Sequence, residues 1–307
     1  MKKTLVAGEI NVDLVLQGYS AFPVPGQEVL VRDFAMVLGS ASAILAMGLA
    51  RLGTSVAFAG CVGDDHFGRF CLEEMARRGI DLSRVICRDT LKTGVTVSIS
   101  DRGDRALVTY LGAIGALTAG DVPDAALAGF DHLHVSSFFF QDGLRPELPQ
   151  LFARARRAGL TTSLDTGFDP SGRWDGGLRA TLAETDLFFP NEVELRALSG
   201  REDPVEGLRG LQNGRTRVVA KLGPAGSMSL DGDRPVHVPA FPVQPVDTTG
   251  AGDSFNAGFL HRWLQKAPLE DCLRLGNACG ALSTRGLGGT GTQPTLTEAE
   301  EFVRQRA

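Results

Sequence analysis

The chain has 307 residues, with 31 Lys and Arg against 36 Asp and Glu and a formal net charge of −5, so it lacks the basic footprint of a nucleic-acid binder. Its apolar and charged fractions, 43% and 22%, are those of a globular protein, and no uninterrupted apolar run reaches the ~18 residues of a membrane-spanning helix. The start MKKTLVAGEINVD meets Glu9 and Asp13 before any cleavage-like site, and Cys61, Cys71, Cys87, Cys272 and Cys279 form no CxxC pair; together these predict a cytoplasmic protein with reduced thiols.

The first predicted strand is Thr4–Gly8. In GEINVDLVL, which follows it, side chains alternate across a strand: Ile10, Val12 and Leu14 face one way, Glu9, Asn11 and Asp13 the other. Asn11 and Asp13 offer a donor and acceptors for neighbouring sugar hydroxyls, although read alone they equally suit a solvent-facing strand edge. Val12–Val37 reads as extended pieces around FPVPGQ, and Thr93–Tyr110 as a hairpin whose strands, VTVSIS and ALVTY, are joined by DRGDR. These two stretches, about 12–37 and 93–111, predict one small β lid, inserted in two pieces, that excludes water from the site. Between and beyond them, strands at Ser55–Cys61, His132–Ser136, Thr161–Asp165, Leu187–Pro190 and Arg217–Leu222 alternate with helices. The predicted helices are Ala41–Leu52, Gly68–Arg78, Pro146–Ala158, Gly177–Glu184, Glu192–Leu198, Val205–Gln212, Gly252–Gln265, Leu269–Thr284 and Glu298–Arg306. Such alternation predicts a mostly parallel sheet covered on both faces, with ligands bound beyond the carboxyl ends of its strands. His132 and His134 share a strand face; with no third ligand close in sequence they read as strand-edge residues, not a metal pair.

Several polar residues then fall where a strand gives way to a loop or helix. Asn191 is a good N-cap and, with Glu194 three residues on, forms a capping-box pattern. The same two side chains are close enough to share one water shell around Mg²⁺. KLGPAGS places Lys221, Gly223 and Gly226 at a strand end, where nucleotide phosphates or ribose bind and where a plain turn fits as well. In VDTTGAGDSFNAGFL, residues 246–260, Asp247 and Asp253 flank Thr248-Thr249-Gly250-Ala251-Gly252 before an apolar helical pattern. Gly250 and Gly252 let a ligand approach the backbone, and the unpartnered N–H groups of the helix start favour a phosphate. Asp253 then stands where it can take a proton from an attacking hydroxyl, as phosphoryl transfer requires. On spacing alone, a helix that simply follows a Gly turn, with Asp253 complementing its dipole, fits equally. GLGGTG at 286–291 has dinucleotide spacing but follows a helical run, not a strand, so it reads as a loop passing the nucleotide.

Together these pieces resemble the ribokinase-like (PfkB) carbohydrate kinase family over nearly the whole chain, most specifically in DTTGAGDSFNAGFL. The resemblance implies an α/β, ribokinase-like three-layer sandwich with a central, mostly parallel sheet and a small β-sheet lid, residues 1–307 forming one kinase domain. It implies that Gly250, Ala251 and Gly252 form the anion hole and that Asp253 is the base. It places Asn191 and Glu194 around Mg²⁺ and its waters, and Asp247 and Thr249 around a monovalent cation, K⁺. Asn11, Asp13, Gly39 and Ser40 fall where the family contacts its sugar; Lys221, Gly223, Gly226 and Asn277 fall in its ATP-binding segments. The family's N-terminal signature, GG-x-x-x-N-x-A, departs here to Gly39-Ser40-Ala41-Ser42-Ala43-Ile44-Leu45-Ala46. Ile44 replaces a sugar-holding Asn and cannot hydrogen-bond through its side chain, and Ala41 stands where sugar-phosphate kinases carry Lys. Phe138–Phe140 line an acceptor pocket or belong in part to the core, and Arg102 or Arg105 on the lid turn would suit a sugar acid. The expected activity is ATP-dependent phosphorylation of a primary hydroxyl on a small sugar-like acceptor. A nucleoside kinase of the same fold and a non-catalytic ligand-binding homologue are the alternatives. A homodimer through the lid is expected, with no nucleic-acid or membrane partner.

Overall fold

The computed structural model of the chain describes residues 2–19, 21–101 and 104–306. Its strands are β1 (Lys3–Ala7), β2 (Asn11–Gln17), β3 (Asp33–Leu38), β4 (Ser55–Gly63), β5 (Asp81–Arg88), β6 (Gly94–Asp101), β7 (Asp104–Tyr110), β8 (His132–Val135), β9 (Thr161–Leu164), β10 (Leu187–Phe188), β11 (Arg217–Lys221), β12 (Ser227–Asp231) and β13 (Arg234–Val238). Its α-helices are α1 (Ala41–Arg51), α2 (His66–Arg77), α3 (Asp124–Leu127), α4 (Leu148–Arg157), α5 (Leu178–Leu182), α6 (Glu192–Ser199), α7 (Pro204–Gly210), α8 (Ala251–Leu264), α9 (Leu269–Ser283) and α10 (Leu296–Arg304). Short polar side chains set several helix starts: Asp65 accepts from Gly68 N, Asp203 from Glu206 N, and Asn191 and Thr295 close full capping boxes.

Nine strands form the main sheet in the order β13-β12-β11-β10-β9-β8-β1-β4-β5. From β11 to β5 the pairing is parallel, and β12 and β13 add an antiparallel end. Alternation sends neighbouring residues to opposite faces. Leu5 and Ala7 join the apolar cluster that holds α4, α5 and α7, while Val6 joins the one that holds α1, α8 and α9. The same split divides Val218 and Ala220 from Val219. These two cores make the layers helix, sheet, helix, and each fully buried Leu or Phe adds roughly 1.5–3 kcal/mol. The lid is a separate four-stranded sheet, β3-β2-β6-β7, parallel only between β2 and β6. Its strands come from the two predicted stretches, and β2 follows β1 after only residues 8–10.

One expectation is corrected, one open reading is decided, and three strands are added. His132 and His134 are not at a sheet edge: β8 lies between β1 and β9, and both rings are fully buried. Each ring nitrogen finds a hydroxyl, His132 with Thr161 and Ser163, His134 with Ser163 and Ser136. Of the two readings of Phe138–Phe140, the core one fits Phe138 and Phe139, which are both buried. Strands β5, β12 and β13 were not predicted. The middle of the DRGDR turn, Arg102 included, lies outside the described residues, as does the side chain of Arg105.

Candidate active site

Because β1, β4 and β8 through β11 run parallel, their carboxyl ends share one edge. Asp165 follows β9, Asn191 follows β10 and Lys221 closes β11. At the same edge α8 begins. Its N-cap, Gly250, has φ +70°, and no side chain caps the helix. Ala251 N in its first turn donates to the Thr248 carbonyl (3.3 Å), and the remaining N–H groups of a helix start, which have no intrahelical partner, suit an anionic ligand. A Cβ on Gly250 would stand 2.7 Å from the Gly289 Cα and 2.9 Å from the Ile44 Cγ2, so the loop is glycine because two neighbours press on it. Asp253 lies in this first turn.

Ile44 is buried, and its side chain packs against Gly250 and Gly289. Its carbonyl accepts from Gln293 Nε2 (2.8 Å), which also bonds the Ser254 hydroxyl (3.0 Å). The residue that lacks the family's amide thus supports the glycine loop. Asp247 holds the other side of that loop. Its Oδ1 accepts from Thr249 N (2.9 Å) and Oγ1 (2.7 Å), and its Oδ2 from Gly288 N (2.9 Å).

Under the lid, Asn11 Nδ2 donates to Asp13 Oδ1 (2.9 Å) and to the Thr96 hydroxyl (3.3 Å), which pairs with Thr109 (3.0 Å). Asn11 and Asp13 are buried, not at a wet edge. Gly39 packs directly on them: a Cβ there would come within 2.1 Å of Asp13 Oδ1 and 2.8 Å of Asn11 Nδ2. Ser40, in the family's second glycine position, keeps a glycine-like φ of +74°. Its hydroxyl donates to the Glu9 carbonyl (2.5 Å) and accepts from Ala43 N (3.2 Å), which offsets the strain. Glu9 in turn accepts from Ser42 and from Gln141 Nε2.

Between these regions lies a charged cluster. Lys221 Nζ meets Asp165 Oδ2 at 2.5 Å, and Asn256 Nδ2 donates to the same oxygen at 2.7 Å. Burial opposes the charge on Asp165, yet Lys221, Asn256 and Gly167 N–H hold its carboxyl below the usual range. Burial likewise opposes the Lys221 charge, and Asp165 and Glu194 outweigh it, raising the ammonium's pKa. Glu194 is pushed up to about 7, first by burial and then by Asp165. Its oxygens accept from Asn191 N and Nδ2, both at 2.8 Å, so the capping box is formed. Among the described residues, no group of three or more His, Cys, Asp or Glu is arranged to hold a metal by itself.

Beside α8 a cleft of about 560 Å³ opens, lined largely by apolar groups including Phe241, Val243, Pro245 and Phe255. Lys221, Gly223, Gly226, Gly252 and Asn277 also line it. Asn277 Nδ2 donates to the Val238 and Pro239 carbonyls (2.9 and 3.1 Å). Gly226 is glycine for a packing reason, its would-be Cβ lying 2.1 Å from the Val238 oxygen. The predicted residues therefore gather in an apolar cleft, in the glycine loop with Asp253, and in the polar group on the lid sheet itself. Asp165, Asn256, Thr96 and Thr109 were missed. A carboxylate closing an apolar strand, and an Asn three residues after Asp253 on the same helix face, were the available signals for the first two.

A parallel sheet with a capless glycine loop at its carboxyl edge and a β lid opposite defines the class of ribokinase-fold sugar kinases. The sequence pattern of the pfkB family carbohydrate kinases matches residues 1–296, and the chain belongs to that family. It is 32% identical over 309 residues to an ATP-dependent ribose-1-phosphate kinase from Halopiger xanaduensis, covering 100% of this chain and 99% of that one. It is 31% identical over 296 residues to a 2-dehydro-3-deoxygluconokinase from Bacillus subtilis, covering 89% and 88%. An E. coli protein provisionally named ribokinase II, solved in complex with ATP and Mg²⁺, superposes with a TM-score of 0.88 at 25% identity, covering 99% of this chain and 100% of that one. This protein is accordingly a carbohydrate kinase. No helix among its described residues is long and apolar enough to cross a membrane.

Proposed function

We propose that this kinase transfers the terminal phosphoryl group of ATP to a primary hydroxyl of a small sugar or sugar-like acceptor. The observation that carries this reading is Gly250-Ala251-Gly252 opening α8 beside the apolar cleft, with Asp253 in the helix's first turn. The cleft takes the nucleotide, its apolar walls holding the base and Lys221, Gly223, Gly226 and Asn277 lying along it. The N–H groups of the glycine loop stabilise charge on the transferring phosphoryl group. Asp253 takes the proton of the acceptor hydroxyl as it attacks. Asn11, Asp13, Gly39 and Ser40 shape the acceptor's seat, and the lid keeps water out.

The residues also fit Mg²⁺. Glu194 is a buried carboxylate held short of full ionisation beside Asp165, a setting that a divalent cation relieves, and Mg²⁺ is commonly held through one or two carboxylates, waters and substrate phosphates. Bound there through water by Asn191 and Glu194, it would neutralise the phosphates. Asp247 and Thr249 are the proposed K⁺ ligands beside the loop.

The acceptor is read as a neutral sugar or sugar acid. Burial of Phe138 and Phe139 removes the aromatic platform that favoured a nucleoside, and Ala41 disfavours a sugar phosphate. The chain acts as one kinase unit with its lid inserted. Exposed Phe34, Leu107, Val108 and Tyr110 on the lid support a homodimer through that sheet. Free thiols, four of the five buried, suit the cytoplasm. The test is coupled ADP release over ribose, fructose, 2-keto-3-deoxygluconate, ribose 1-phosphate and nucleosides, run beside Asp253→Ala. Turnover on one class, lost in the variant, supports the reading. Bound ATP with silence on every acceptor sinks it in favour of a ligand-binding role.

A further inference from the structure

Resting on that kinase reading, we propose that Asp165, with Asn256, is a positioning residue of the transfer step: it fixes the Lys221 ammonium at the foot of the glycine loop, against the phosphoryl group in flight. The placement is direct. A Cβ on Gly252 would lie 3.4 Å from Lys221 Nζ, 3.7 Å from its Cδ and 3.9 Å from its Cε, so the lysine side chain lies along the loop that receives the phosphate. Lys221 therefore does more than line the nucleotide cleft.

A lysine has four rotatable side-chain bonds, and this one has other places to go. Glu194 and Asp253 both act on its charge. Asp165 is the group that holds it. Its Oδ2 accepts from Lys221 (2.5 Å) and Asn256 (2.7 Å), and its Oδ1 from Gly167 N (3.0 Å). Held by three donors from separate parts of the chain, the carboxylate cannot turn, and so neither can the ammonium it grips. Asn256 ties the clamp to the base's own helix, three residues beyond Asp253. Its Oδ1 is buried without a hydrogen-bond partner among the described residues, and its Nδ2 bonds Asp165. The arrangement is a preorganised charge where negative charge builds up, the kind of group whose loss costs about 10²–10³ in kcat.

The experiment is a cycle of Asp165→Asn, Lys221→Met and the double variant, each checked by circular dichroism and thermal melting. The double variant removes both charges together, which buried pairs tolerate better than loss of one. With the acceptor found by the panel, Lys221→Met and Asp165→Asn should each lower kcat by about 10²-fold, with KM for ATP within about threefold of wild type. The double variant should be no slower than Lys221→Met. Asp165→Asn retaining kcat within about threefold, or losses that multiply in the double variant, would overturn the proposal, because a merely structural Asp165 acts independently of the lysine. A second arm needs no acceptor: calorimetry with ATP and ADP. The ratio of the two affinities should shift by the same factor in both single variants, and no further in the double. An unshifted ratio in Asp165→Asn counts against the proposal. Wild-type silence on every acceptor would sink the kinase reading, and the calorimetric arm would still decide this one.

Discussion

The two glycines of the anion loop should fail in opposite ways when each is replaced by alanine. Gly250 has φ +70°, a conformation that costs a residue with a Cβ roughly 1–2 kcal/mol. The new methyl would also meet Gly289 Cα at 2.7 Å and Ile44 Cγ2 at 2.9 Å. One of these is backbone, so the loop itself must shift, and overpacking of this kind costs about 1–3 kcal/mol. Gly250→Ala should therefore lose roughly 2–5 kcal/mol, or on the order of 4–10 °C in Tm for a chain of this length. Gly252 is helical, and a Cβ there makes its first contact at 3.4 Å, with Lys221 Nζ. Its replacement should leave stability unchanged or raise it by up to ~1 kcal/mol. The methyl nevertheless fills space between the ammonium and the loop where the phosphoryl group is to sit. Gly252→Ala should keep its melting temperature and lose at least tenfold in kcat/KM for ATP. Differential scanning calorimetry and ADP release separate the two. A Gly252→Ala protein that melts several degrees early, or that turns over like wild type, would refute the assignment of the loop.

Acid should unfold the protein through its buried histidines. Burial pushes His132 and His134 down to about 3 from 6.5, so the fold keeps them neutral while the unfolded chain takes up protons below pH 6.5. Their stabilising effect is complete above that pH and is lost as pH falls from 6.5 towards 3. At pH 5 the loss is roughly 2 kcal/mol for each ring, and chemical denaturation of His132→Gln/His134→Gln should show a shallower acid limb than wild type. Mg²⁺ should raise Tm more at pH 8 than at pH 6, since Glu194 holds its proton until about pH 7 and a cation must displace it; a pH-independent shift would remove Glu194 from the Mg²⁺ site. At position 40 the usual order reverses: Ser40→Gly keeps the +74° backbone and should cost under ~1 kcal/mol, while Ser40→Ala loses both hydroxyl bonds and stays strained, costing about 1–2 kcal/mol by urea titration.

Much of this was readable from local pattern. The parallel strands are short apolar runs, and helices such as α2, α6, α7 and α10 carry their own N-caps, so both appear within a few residues of their predicted ends. Strand β5, DLSRVICR, escaped because charged residues interrupt it, as suits the last strand of a sheet. Strands β12 and β13 escaped because Pro235 and a run of polar residues disguise an antiparallel pair at the other end. The glycine loop and Asp253 are contiguous and so could be read together. The clamp could not, because Asp165 meets Lys221 across 56 positions and Asn256 across 91. Ile44 shows the same limit. The sequence reveals that an amide is missing, but only the approach of Gly250 and Gly289 reveals what the isoleucine does instead.

At the strand ends negative charge outweighs positive. Asp165, Glu194 and Asp253 all act on the one ammonium of Lys221, and Asp165 already holds it. A nucleotide triphosphate brings further negative charge into the same space. On the proposed reading the glycine loop meets it with neutral N–H groups, which stabilise the transferring phosphoryl group. A divalent cation would carry the rest of that charge on the donor side. The acceptor side differs, because Asn11, Asp13, Thr96 and Thr109 form a connected set of hydrogen-bonding groups suited to hydroxyls, with one carboxylate among them. The proposed site is thus divided by its electrostatics: the donor would bind as a metal complex against Lys221 and the loop, and the acceptor by hydrogen bonds to the lid. On the proposed reading Asp253 works where the two meet, and the clamp keeps Lys221 on Asp165 beside the glycine loop.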